Sequence, residues 1–201
     1  TSIFTNSFKT LIIGGSQINQ ALKAKLQNST TNIFETYGMT ETVSHVAMKR
    51  IENNFFEALP NVTFNIDDRS CLVIDALEVA SSIIITNDIV DLISYKEFIW
   101  KGRYDNIINS GGVKLSPEVI ESKLHDKIQE RFFIGSEEDS LLGQKVILVI
   151  ESAIDLNLSA NTFESLTKYE IPKKTYYVDE FLETATNKIN RIATLQKIKV
   201  V

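Results

Sequence analysis

The chain has 201 residues, 43% of them hydrophobic and 23% charged, an ordinary globular composition that suffices for one large domain or two small ones. Its 21 Lys and Arg against 26 Asp and Glu give a formal charge of −5, which argues against nucleic acid as the main partner. The single Cys71 excludes an internal disulfide, and the apolar runs are shorter than a membrane span. With no signal peptide visible, these features predict a soluble, cytoplasmic protein. The first residue is Thr1 rather than Met, which suggests a piece of a longer chain.

The first hundred residues contain two different patterns. Residues 9–13 and 31–37 predict strands on either side of a helix at 18–26, which Ser16 would cap. This strand–helix–strand sequence predicts a parallel sheet covered by helices. From about residue 62 to residue 100, short β-branched runs separated by polar turns predict a small antiparallel sheet or barrel-like element.

The second half has the pattern of a compact α+β domain. Ser116-Pro117-Glu118 is a strong helix start, with a capping residue, a proline at the first helical position and an acid in the first turn. His125 in this helix is predicted to face solvent. The remaining predicted elements are strands at 131–135, 145–151 and 174–179, a helix near 161–167, and a polar loop at 184–191 before a last helix.

Most familiar catalytic motifs are absent. The chain has no phosphate-binding Gly-Lys-Ser/Thr loop, no G-x-G-x-x-G and no H-E-x-x-H, and two histidines with one cysteine cannot form a structural zinc site. Residues 37–42 place a hydroxyl beside a carboxylate after a strand, at the edge where open α/β sheets bind ligands. Thr40 could hydrogen-bond a phosphate and Glu41 could hold Mg²⁺. The alternative is an ordinary strand-to-helix turn with a capping threonine.

Other polar residues are weak evidence when taken singly. Thr86-Asn87-Asp88 ends an apolar strand, and Asp88 could bind the vicinal hydroxyls of a sugar, although such residues are common in turns. Arg103 could grip a phosphate or ribose, or it could be a surface arginine. Asn187 could take a left-handed backbone conformation, and Lys188 beside it could be a solvated loop lysine.

In their order along the chain, these segments resemble the adenylate-forming (AMP-binding) superfamily of acyl-CoA synthetases, adenylation domains and luciferases. The resemblance covers nearly the whole chain, from residue 11 to residue 191. It implies that residues 1–104 are the C-terminal end of the large N-domain, with an α/β layer and a small β element. Residues 105–201 would be the complete, small, mobile α+β C-terminal domain. The matching segments are Gly14-Gly15, Tyr37-Gly38-Met39-Thr40-Glu41, Thr86-Asn87-Asp88, Gly102-Arg103-Tyr104-Asp105, residues 110–121 and residues 186–191.

The resemblance also implies an activity and a set of roles. The family activates a carboxylic acid with Mg-ATP to an acyl-adenylate and transfers the acyl group to a thiol, usually that of CoA. Lys188 matches the lysine used in adenylation, where an ammonium point charge stabilises developing negative charge. The other implied roles are Tyr37 on adenine, Thr40 at the α-phosphate, Glu41 at Mg²⁺, Asp88 and Arg103 at the ribose, Asp105 as hinge, Gly111 and Gly112 beside the pantetheine thiol, and Gly14, Gly15, Gly38 and Lys114 as further nucleotide- or CoA-binding residues.

Two departures from the family pattern stand out. Asn87 and Asn187 occupy positions where the family usually has glycine, and both can adopt left-handed backbone angles at modest cost. We therefore expect activity to be weakened at most by these two residues. The family's Ser/Thr/Gly-rich loop for the ATP phosphates is absent from the sequence, so we expect the chain by itself to be inactive or nearly so.

The segment from Glu35 to Val46 gives a substrate prediction. Together with the compact run at residues 105–114, it resembles the o-succinylbenzoate–CoA ligases of menaquinone biosynthesis. Ser44 and His45 could hydrogen-bond such an acid in the pocket, or His45 could lie on a helix and face neither ligand nor metal. Two alternatives stay open: a CoA ligase for another aryl or aliphatic acid, and a non-catalytic, partner-binding fragment. The oligomeric state is left open.

A non-catalytic fragment is disfavoured because it would not need three of the expected active-site residues at once. Lys188, Glu41 and Asp88 are all present. The partners that the sequence predicts are therefore a small carboxylic acid, ATP with Mg²⁺, and CoA, with no nucleic acid and no membrane.

Overall fold

The computed structural model describes residues 8–15, 18, 20–26, 29–185 and 187–199. The predicted cap at Ser16 and the motif residue Thr186 lie outside the described residues. The chain divides into two compact units, Thr1–Asp105 and Asn106–Val201. Among the described helices, none is both long and apolar enough to cross a membrane.

The first unit contains one eight-stranded sheet with the strand order β1-β2-β3-β4-β8-β7-β6-β5. The strands β1 and β2 are parallel, as the strand–helix–strand pattern predicts, and the other pairs are antiparallel. The elements are β1 (Thr10–Ile13), α1 (Gln20–Leu26), β2 (Asn32–Gly38), β3 (His45–Arg50), β4 (Phe56–Ala58), β5 (Thr63–Ile66), β6 (Cys71–Asp75), β7 (Ile84–Ser94) and β8 (Glu97–Arg103).

The expected separate antiparallel element at residues 62–100 is wrong in one respect. Its strands are antiparallel, but they continue the sheet that begins at β1. The short strand β4 makes the join because it pairs with β3 on one side and with β8 on the other, where Phe56 lies opposite Phe98. The hydrogen bonds of β4 therefore join the two sheets that the sequence predicts into one sheet of eight strands.

Aromatic side chains form the centre of the core beneath this join. The Phe98 side chain is fully buried, its ring centroid lies 5.3 Å from that of Phe56, and the two rings are stacked. The rings of Phe64 and Tyr37 meet Phe98 edge-on at 5.0 and 5.1 Å. Edge-on and offset aromatic pairs add to the free energy gained by burial, so this cluster ties β2, β4, β5 and β8 together.

The second unit contains a five-stranded sheet centred on β12. The long strand β11 pairs with β12 in antiparallel orientation, β13 pairs with it in parallel orientation, and β9 joins it at Gly143. The elements are β9 (Ile108–Ser110), β10 (Val113–Leu115), α2 (Pro117–Leu124), β11 (Phe132–Asp139), β12 (Gly143–Glu151), β13 (Lys174–Val178) and α3 (Arg191–Lys199).

Four of the predicted strand and helix positions in this unit are confirmed, and a fifth is corrected. The strands at 131–135, 145–151 and 174–179 and the helix start at Pro117 agree with the structure. The helix expected near 161–167 is only a 3-10 turn at Ala160–Phe163. Asparagine, threonine and serine in this segment are weak helix formers, because their side chains can hydrogen-bond the backbone in non-helical conformations.

Two apolar layers cover the two faces of β12. All five residues from Val146 to Ile150 are at most 1% exposed, because helices or loops pack against both faces of the strand. His125 contributes to the edge of one layer, with its ring 5.2 Å from that of Phe132. It is half-buried, and burial lowers its pKa, so the predicted solvent-facing position is wrong.

Candidate functional site

The strand β7 carries Thr86, Asn87 and Asp88 within it. The prediction that the strand ends at these residues is wrong, because Asp88 pairs with Arg103 of β8 and β7 continues to Ser94. Side chains alternate between the two faces of a strand, so Thr86 and Asp88 point to the buried face and Asn87 points to the other. This alternation explains why neighbouring polar residues have different surroundings.

The Asp88 carboxylate is the most enclosed group of the candidate site. Asp88 is 6% exposed, and its two oxygens accept hydrogen bonds from the Tyr37 hydroxyl at 2.6 Å and from the Trp100 indole N–H at 3.2 Å. The Arg103 Nε lies 3.8 Å from Oδ1. A carboxylate has about four acceptor positions, so the two donors leave capacity for a further partner.

Trp100 is a site residue that the sequence reasoning missed. An indole N–H that is removed from water needs an acceptor, so a tryptophan on the strand paired with the one carrying Asp88 is a usable signal. That pairing requires the register of β7 and β8, which has two bulges and cannot be read from spacing alone.

Tyr37 connects the site to the core. Its ring packs against Phe98 and Phe56, and its hydroxyl donates to Asp88. Burial raises the pKa of Tyr37 well above its ordinary value, and the negative charge of Asp88 and their hydrogen bond raise it further. Tyr37 is therefore a neutral donor with a fixed ring. Its expected stacking on adenine stays a prediction.

The Thr40–Glu41 segment leaves β2 through a 3-10 turn at Thr40–Thr42. Thr40 and Glu41 are exposed, whereas Thr42 is fully buried. The Thr42 hydroxyl oxygen accepts from the Met39 N–H at 3.0 Å and lies 2.9 and 2.6 Å from the carbonyl oxygens of Met39 and Ser44. Thr42, which the sequence reasoning did not single out, therefore fixes the turn and leaves its two neighbours accessible.

The turn leads into strand β3, so the alternative of a strand-to-helix turn is wrong. His45 is the first residue of that strand and is half-buried, so the alternative that placed it on a helix is wrong as well. The Ser44 hydroxyl lies 3.2 Å from His45 Nδ1. Gly38 is required here because a Cβ on it would lie 2.5 Å from the Ser44 carbonyl oxygen.

The parallel strands β1 and β2 place two predicted binding segments at one edge of the sheet. Gly14 and Gly15 follow β1, Gly38 ends β2 and Met39 to Glu41 follow it, so both segments stand at the carboxyl ends of adjacent strands. This is the edge at which open α/β sheets bind ligands. Glu35 within β2 is buried, accepts from the Ile18 N–H at 3.2 Å and pairs with Lys49 at 3.0 Å, an ion pair that the sequence reasoning missed.

Asp105, the expected hinge, is held by side chains of the first unit. The guanidinium of Arg103 donates to it at 2.9 Å, and the Asn87 amide lies 3.2 Å from both of its carboxylate oxygens. Asn87 lies within β7 and is not among the residues with positive φ, so the left-handed conformation that its sequence position allows is not adopted. Its neighbours in the strand, Ile85 and Asp88, pair with β6 and β8, and the asparagine side chain makes the contacts at this position.

In the second unit, Gly111 and Gly112 form the two-residue turn between β9 and β10. Both have positive φ, +59° and +81°, which is the backbone of a tight hairpin turn that favours glycine. The Gly111 N–H donates to the Leu142 carbonyl at 2.8 Å. Lys114 follows on β10 and is exposed.

Lys188 is exposed on a turn whose backbone is bonded to itself. The Thr184 N–H donates to the Lys188 carbonyl at 2.8 Å, and the Lys188 N–H donates to the Thr184 hydroxyl at 3.2 Å. Asn187 has φ of 57°, which confirms the predicted left-handed conformation. The backbone of the turn is thereby fixed, while the lysine side chain extends from it.

A buried ion pair supports the helix that follows this turn. Arg191 at the start of α3 lies 2.8 and 2.9 Å from the two carboxylate oxygens of Glu121, which also accepts from the Ile134 N–H at 2.8 Å. Burial raises the pKa of Glu121 to about 7, although the charge of Arg191 acts in the opposite direction. Glu121 and Arg191 belong to the two motif segments of this unit, and sequence spacing did not reveal that they meet.

The structure thus brings four predicted residues of the first unit into contact: Tyr37, Asp88, Arg103 and Asp105. Gly111, Gly112, Lys114 and Lys188 belong to the second unit. Among the described residues, no cluster of three or more His, Cys, Asp and Glu could hold a metal. A single exposed carboxylate such as Glu41 suits Mg²⁺, which proteins commonly bind through one or two carboxylates together with substrate phosphates.

Comparisons with known proteins agree with this fold. The chain is 26% identical over 212 residues to a 2-succinylbenzoate–CoA ligase of Lactococcus lactis, covering 94% of this chain and 47% of the relative. It is 31% identical over 103 residues to a benzoate–CoA ligase of Thauera aromatica, covering 47% of this chain and 20% of the relative. No protein-family model matches.

Among solved structures, the chain resembles the o-succinylbenzoate coenzyme A synthetase of Bacillus subtilis in complex with ATP and magnesium. The TM-score is 0.79 at 20% identity, covering 96% of this chain and 48% of that one. The fold is therefore that of the C-terminal part of an adenylate-forming enzyme. In sequence the chain is similar to AMP-forming CoA ligases, among them a 2-succinylbenzoate–CoA ligase. It spans about half the length of the relatives that it matches from end to end.

Proposed function

We propose that this chain is the C-terminal part of an acid–thiol ligase that converts a carboxylic acid and Mg-ATP into an acyl-adenylate and then into a CoA thioester. The observation that carries the proposal is the enclosed Asp88 carboxylate, with Tyr37 and Trp100 as donors and Arg103 at 3.8 Å. A carboxylate with fixed orientation and spare acceptor positions suits the paired hydroxyls of a ribose.

The residues around the ends of β1 and β2 suit the nucleotide phosphates. Thr40 supplies an exposed hydroxyl and Glu41 an exposed carboxylate, and Thr42 holds the turn that carries them. Glu41 would hold Mg²⁺, which supplies positive charge to phosphate oxygens when it is bound. Gly15 leaves the backbone of this edge open to the nucleotide, since a Cβ there would meet no atom within 4 Å, whereas Gly14 and Gly38 let the chain pack closely against Thr36 and Ser44 and so shape the edge.

The second unit contributes the groups for the two half-reactions. We assign the adenylation lysine to Lys188, whose ammonium would stabilise the negative charge that develops on carboxylate and phosphate oxygens. We assign the thioester step to Gly111 and Gly112, where the absence of side chains leaves room for a pantetheine thiol. Lys114 beside them would attract the phosphates of CoA.

We propose o-succinylbenzoate as the acid, and thus a place in menaquinone biosynthesis, with Ser44 and His45 in the acyl pocket. The support is the match along 94% of the chain to a 2-succinylbenzoate–CoA ligase. A second candidate acid is an unsubstituted aryl acid. It is favoured by the match to a benzoate–CoA ligase, which has the higher identity of 31% but covers only 47% of the chain.

ATP–pyrophosphate exchange tests the function and separates the candidates. The longest form of the protein that contains this chain is assayed with o-succinylbenzoate, benzoate, oxalate and acetate. Exchange that depends on o-succinylbenzoate supports the leading proposal, and exchange with benzoate alone favours the second. Absence of exchange with every acid would leave the non-catalytic alternative.

The 201-residue chain alone is a useful comparison in the same assay. We expect it to give no exchange, because it spans about half the length of the relatives and carries no Ser/Thr/Gly-rich phosphate loop. Full exchange by the 201-residue chain would contradict this expectation and would place all of the catalytic groups within it.

A further inference from the structure

Asn87 lies between two oppositely charged side chains. Its amide oxygen accepts from the Arg69 guanidinium at 2.8 Å, and its amide nitrogen lies 3.2 Å from both oxygens of Asp105. Only a side chain with a donor at one tip and an acceptor at the other can satisfy both neighbours at once. An aspartate would face the Asp105 carboxylate, and a glycine would reach neither group.

Arg69 is itself fixed, so the arrangement has a rigid base. Its guanidinium forms a two-pronged contact with Asp67 at 2.8 and 2.7 Å, and it also donates to the Thr86 carbonyl at 3.1 Å. The Tyr104 ring lies below it at 5.1 Å. A planar guanidinium held by a carboxylate, a carbonyl and an aromatic ring has little freedom, which fixes the Asn87 amide in turn.

The next residue along the chain is attached to the other unit. The Asn106 amide donates to Glu118 in the first turn of α2. Glu118 also accepts from the Ser116 hydroxyl at 3.1 Å. Asp105 is thus bound to the first unit through Asn87 and Arg103, whereas Asn106 is bound to the second.

We propose that Asn87 is a positioning residue that fixes Asp105 to the first unit, so that the backbone is held up to Asp105 and any hinge motion of the chain starts at the Asp105–Asn106 peptide bond. The anchor itself is argued from contacts, and only its use, in the change between the two half-reactions, rests on the proposed function. Where the family usually has a flexible glycine, this chain has Asn87, whose side chain would hold Asp105 in place.

Backbone ¹⁵N relaxation of the 201-residue chain tests the anchor without any substrate. In the unmodified chain we expect the Asp105 amide to have an order parameter of about 0.85, the value of rigid backbone. In Asn87→Ala we expect it to fall below about 0.6, while the amides of β7 stay rigid. Alanine is chosen because glycine would add backbone freedom of its own.

The matched control is Asn65→Ala. Asn65 is an exposed asparagine on strand β5 of the same unit, and its side-chain oxygen accepts from the N–H of the adjacent Ile66 at 2.9 Å. This variant should leave the Asp105 order parameter unchanged. If Asn87→Ala does not fold, the nearly isosteric Asn87→Asp replaces it and should mobilise Asp105 through repulsion of its carboxylate.

Two results would overturn the proposal. One is an Asp105 amide that stays rigid in a folded Asn87 variant, and the other is an Asp105 amide that is already mobile in the unmodified chain. The second anchor gives a directional check, because Asn106→Ala should extend the mobile segment to Ile107 and leave Asp105 rigid. Since no step uses ATP or an acid, a failed pyrophosphate-exchange assay would remove the proposed function and leave this result in place.

Discussion

The two units hold their candidate site residues in opposite ways. In the first unit the functional atoms themselves are fixed, since Asp88 is 6% exposed and each of its oxygens accepts a defined donor. In the second unit the backbone is fixed and the functional atoms are not. Lys188 is exposed and, within the described residues, forms no ion pair, while its turn is bonded to Thr184 at both its N–H and its carbonyl.

This difference suits the two kinds of chemistry that we propose. A group that orients a bound nucleotide gains from being rigid before binding, because no free energy is then spent on ordering it. A lysine that acts in only one half-reaction needs a side chain that can move and a backbone that is held in place. The Glu121–Arg191 pair holds the backbone in place at the start of α3, three residues after Lys188.

The largest expected effect is that of Lys188→Ala on adenylation. Removal of the ammonium should lower the adenylation rate by about a hundredfold to a thousandfold, the range for loss of one electrostatic contributor in a transition state. Thioester formation from supplied acyl-adenylate should be spared. Pyrophosphate exchange and thioester formation measure the two steps in the longest form of the protein that contains this chain, with the exposed Lys173→Ala as control. Equal losses in both steps would contradict the assignment.

The stability of the second unit should depend on pH through Glu121, which pairs with Arg191. Burial raises the pKa of its carboxyl to about 7 in the folded chain, above the ordinary 4.5. The folded state therefore binds more protons than the unfolded state between these values, and the free energy of unfolding falls as pH rises from about 4.5 to about 7. Glu121→Gln lacks this loss, so its stability relative to the unmodified chain should rise from pH 5 to pH 8 by up to about 3 kcal/mol.

Chemical denaturation at pH 5, 6, 7 and 8 measures this difference. The control is Glu130→Gln, because Glu130 is exposed. Its stability should follow that of the unmodified chain at each pH. If the Glu121→Gln curve ran parallel to the unmodified curve, burial would not control this carboxyl and Arg191 would hold it ionised throughout.

A smaller effect, on the free energy of unfolding, is expected when the Asp88 carboxylate of the first unit loses one hydrogen-bond donor. Tyr37→Phe keeps the ring in the aromatic cluster but removes the donor to one Asp88 oxygen. Loss of a hydrogen bond to a buried charged group should lower the free energy of unfolding by about 1–3 kcal/mol. Tyr95→Phe is the control, since Tyr95 is 66% exposed, and it should change stability by less than about 0.5 kcal/mol. Equal changes in the two variants would mean that Asp88 is not fixed by Tyr37.

The order of strands and motifs was predictable from sequence because it depends on local patterns. The apolar run at residues 146–150 predicts a buried strand, and Pro117 after a serine predicts a helix start, and both are confirmed. The Asn187 conformation was also predictable, because an exposed turn leaves the backbone preference of asparagine unopposed.

What the sequence could not provide is the outcome of pairing between distant segments. Asn87 has the same backbone preference as Asn187, yet it lies in β7 between residues that pair with β6 and β8, and its side chain contacts Arg69 and Asp105. Trp100 was missed for the same reason, since its contact with Asp88 depends on a register with bulges. Local preference therefore decides exposed turns, and sheet pairing overrides it elsewhere.

The smallest expected effect is at Val43, where the first unit's rigid turn stores strain. Val43 has φ of 61° and ψ of −38°, and the Ser44 N–H donates to the Thr42 carbonyl across it at 2.6 Å. This is a three-residue γ-turn, which is rare and strained, and a β-branched residue is especially unfavourable at positive φ. Val43 is 83% exposed, so little apolar contact is lost on its removal.

Val43→Gly should therefore raise the free energy of unfolding by about 1 kcal/mol, because relief of strain exceeds the entropy that glycine adds to the unfolded chain. Val79→Gly is the matched control, since Val79 is also exposed but lies outside the positive-φ residues. It should lower stability by about 0.5–1 kcal/mol. Thermal and chemical unfolding would give opposite signs for the two variants. Destabilisation of both would show that the turn between Thr42 and His45 is not strained and that its rigidity comes from Thr42 alone.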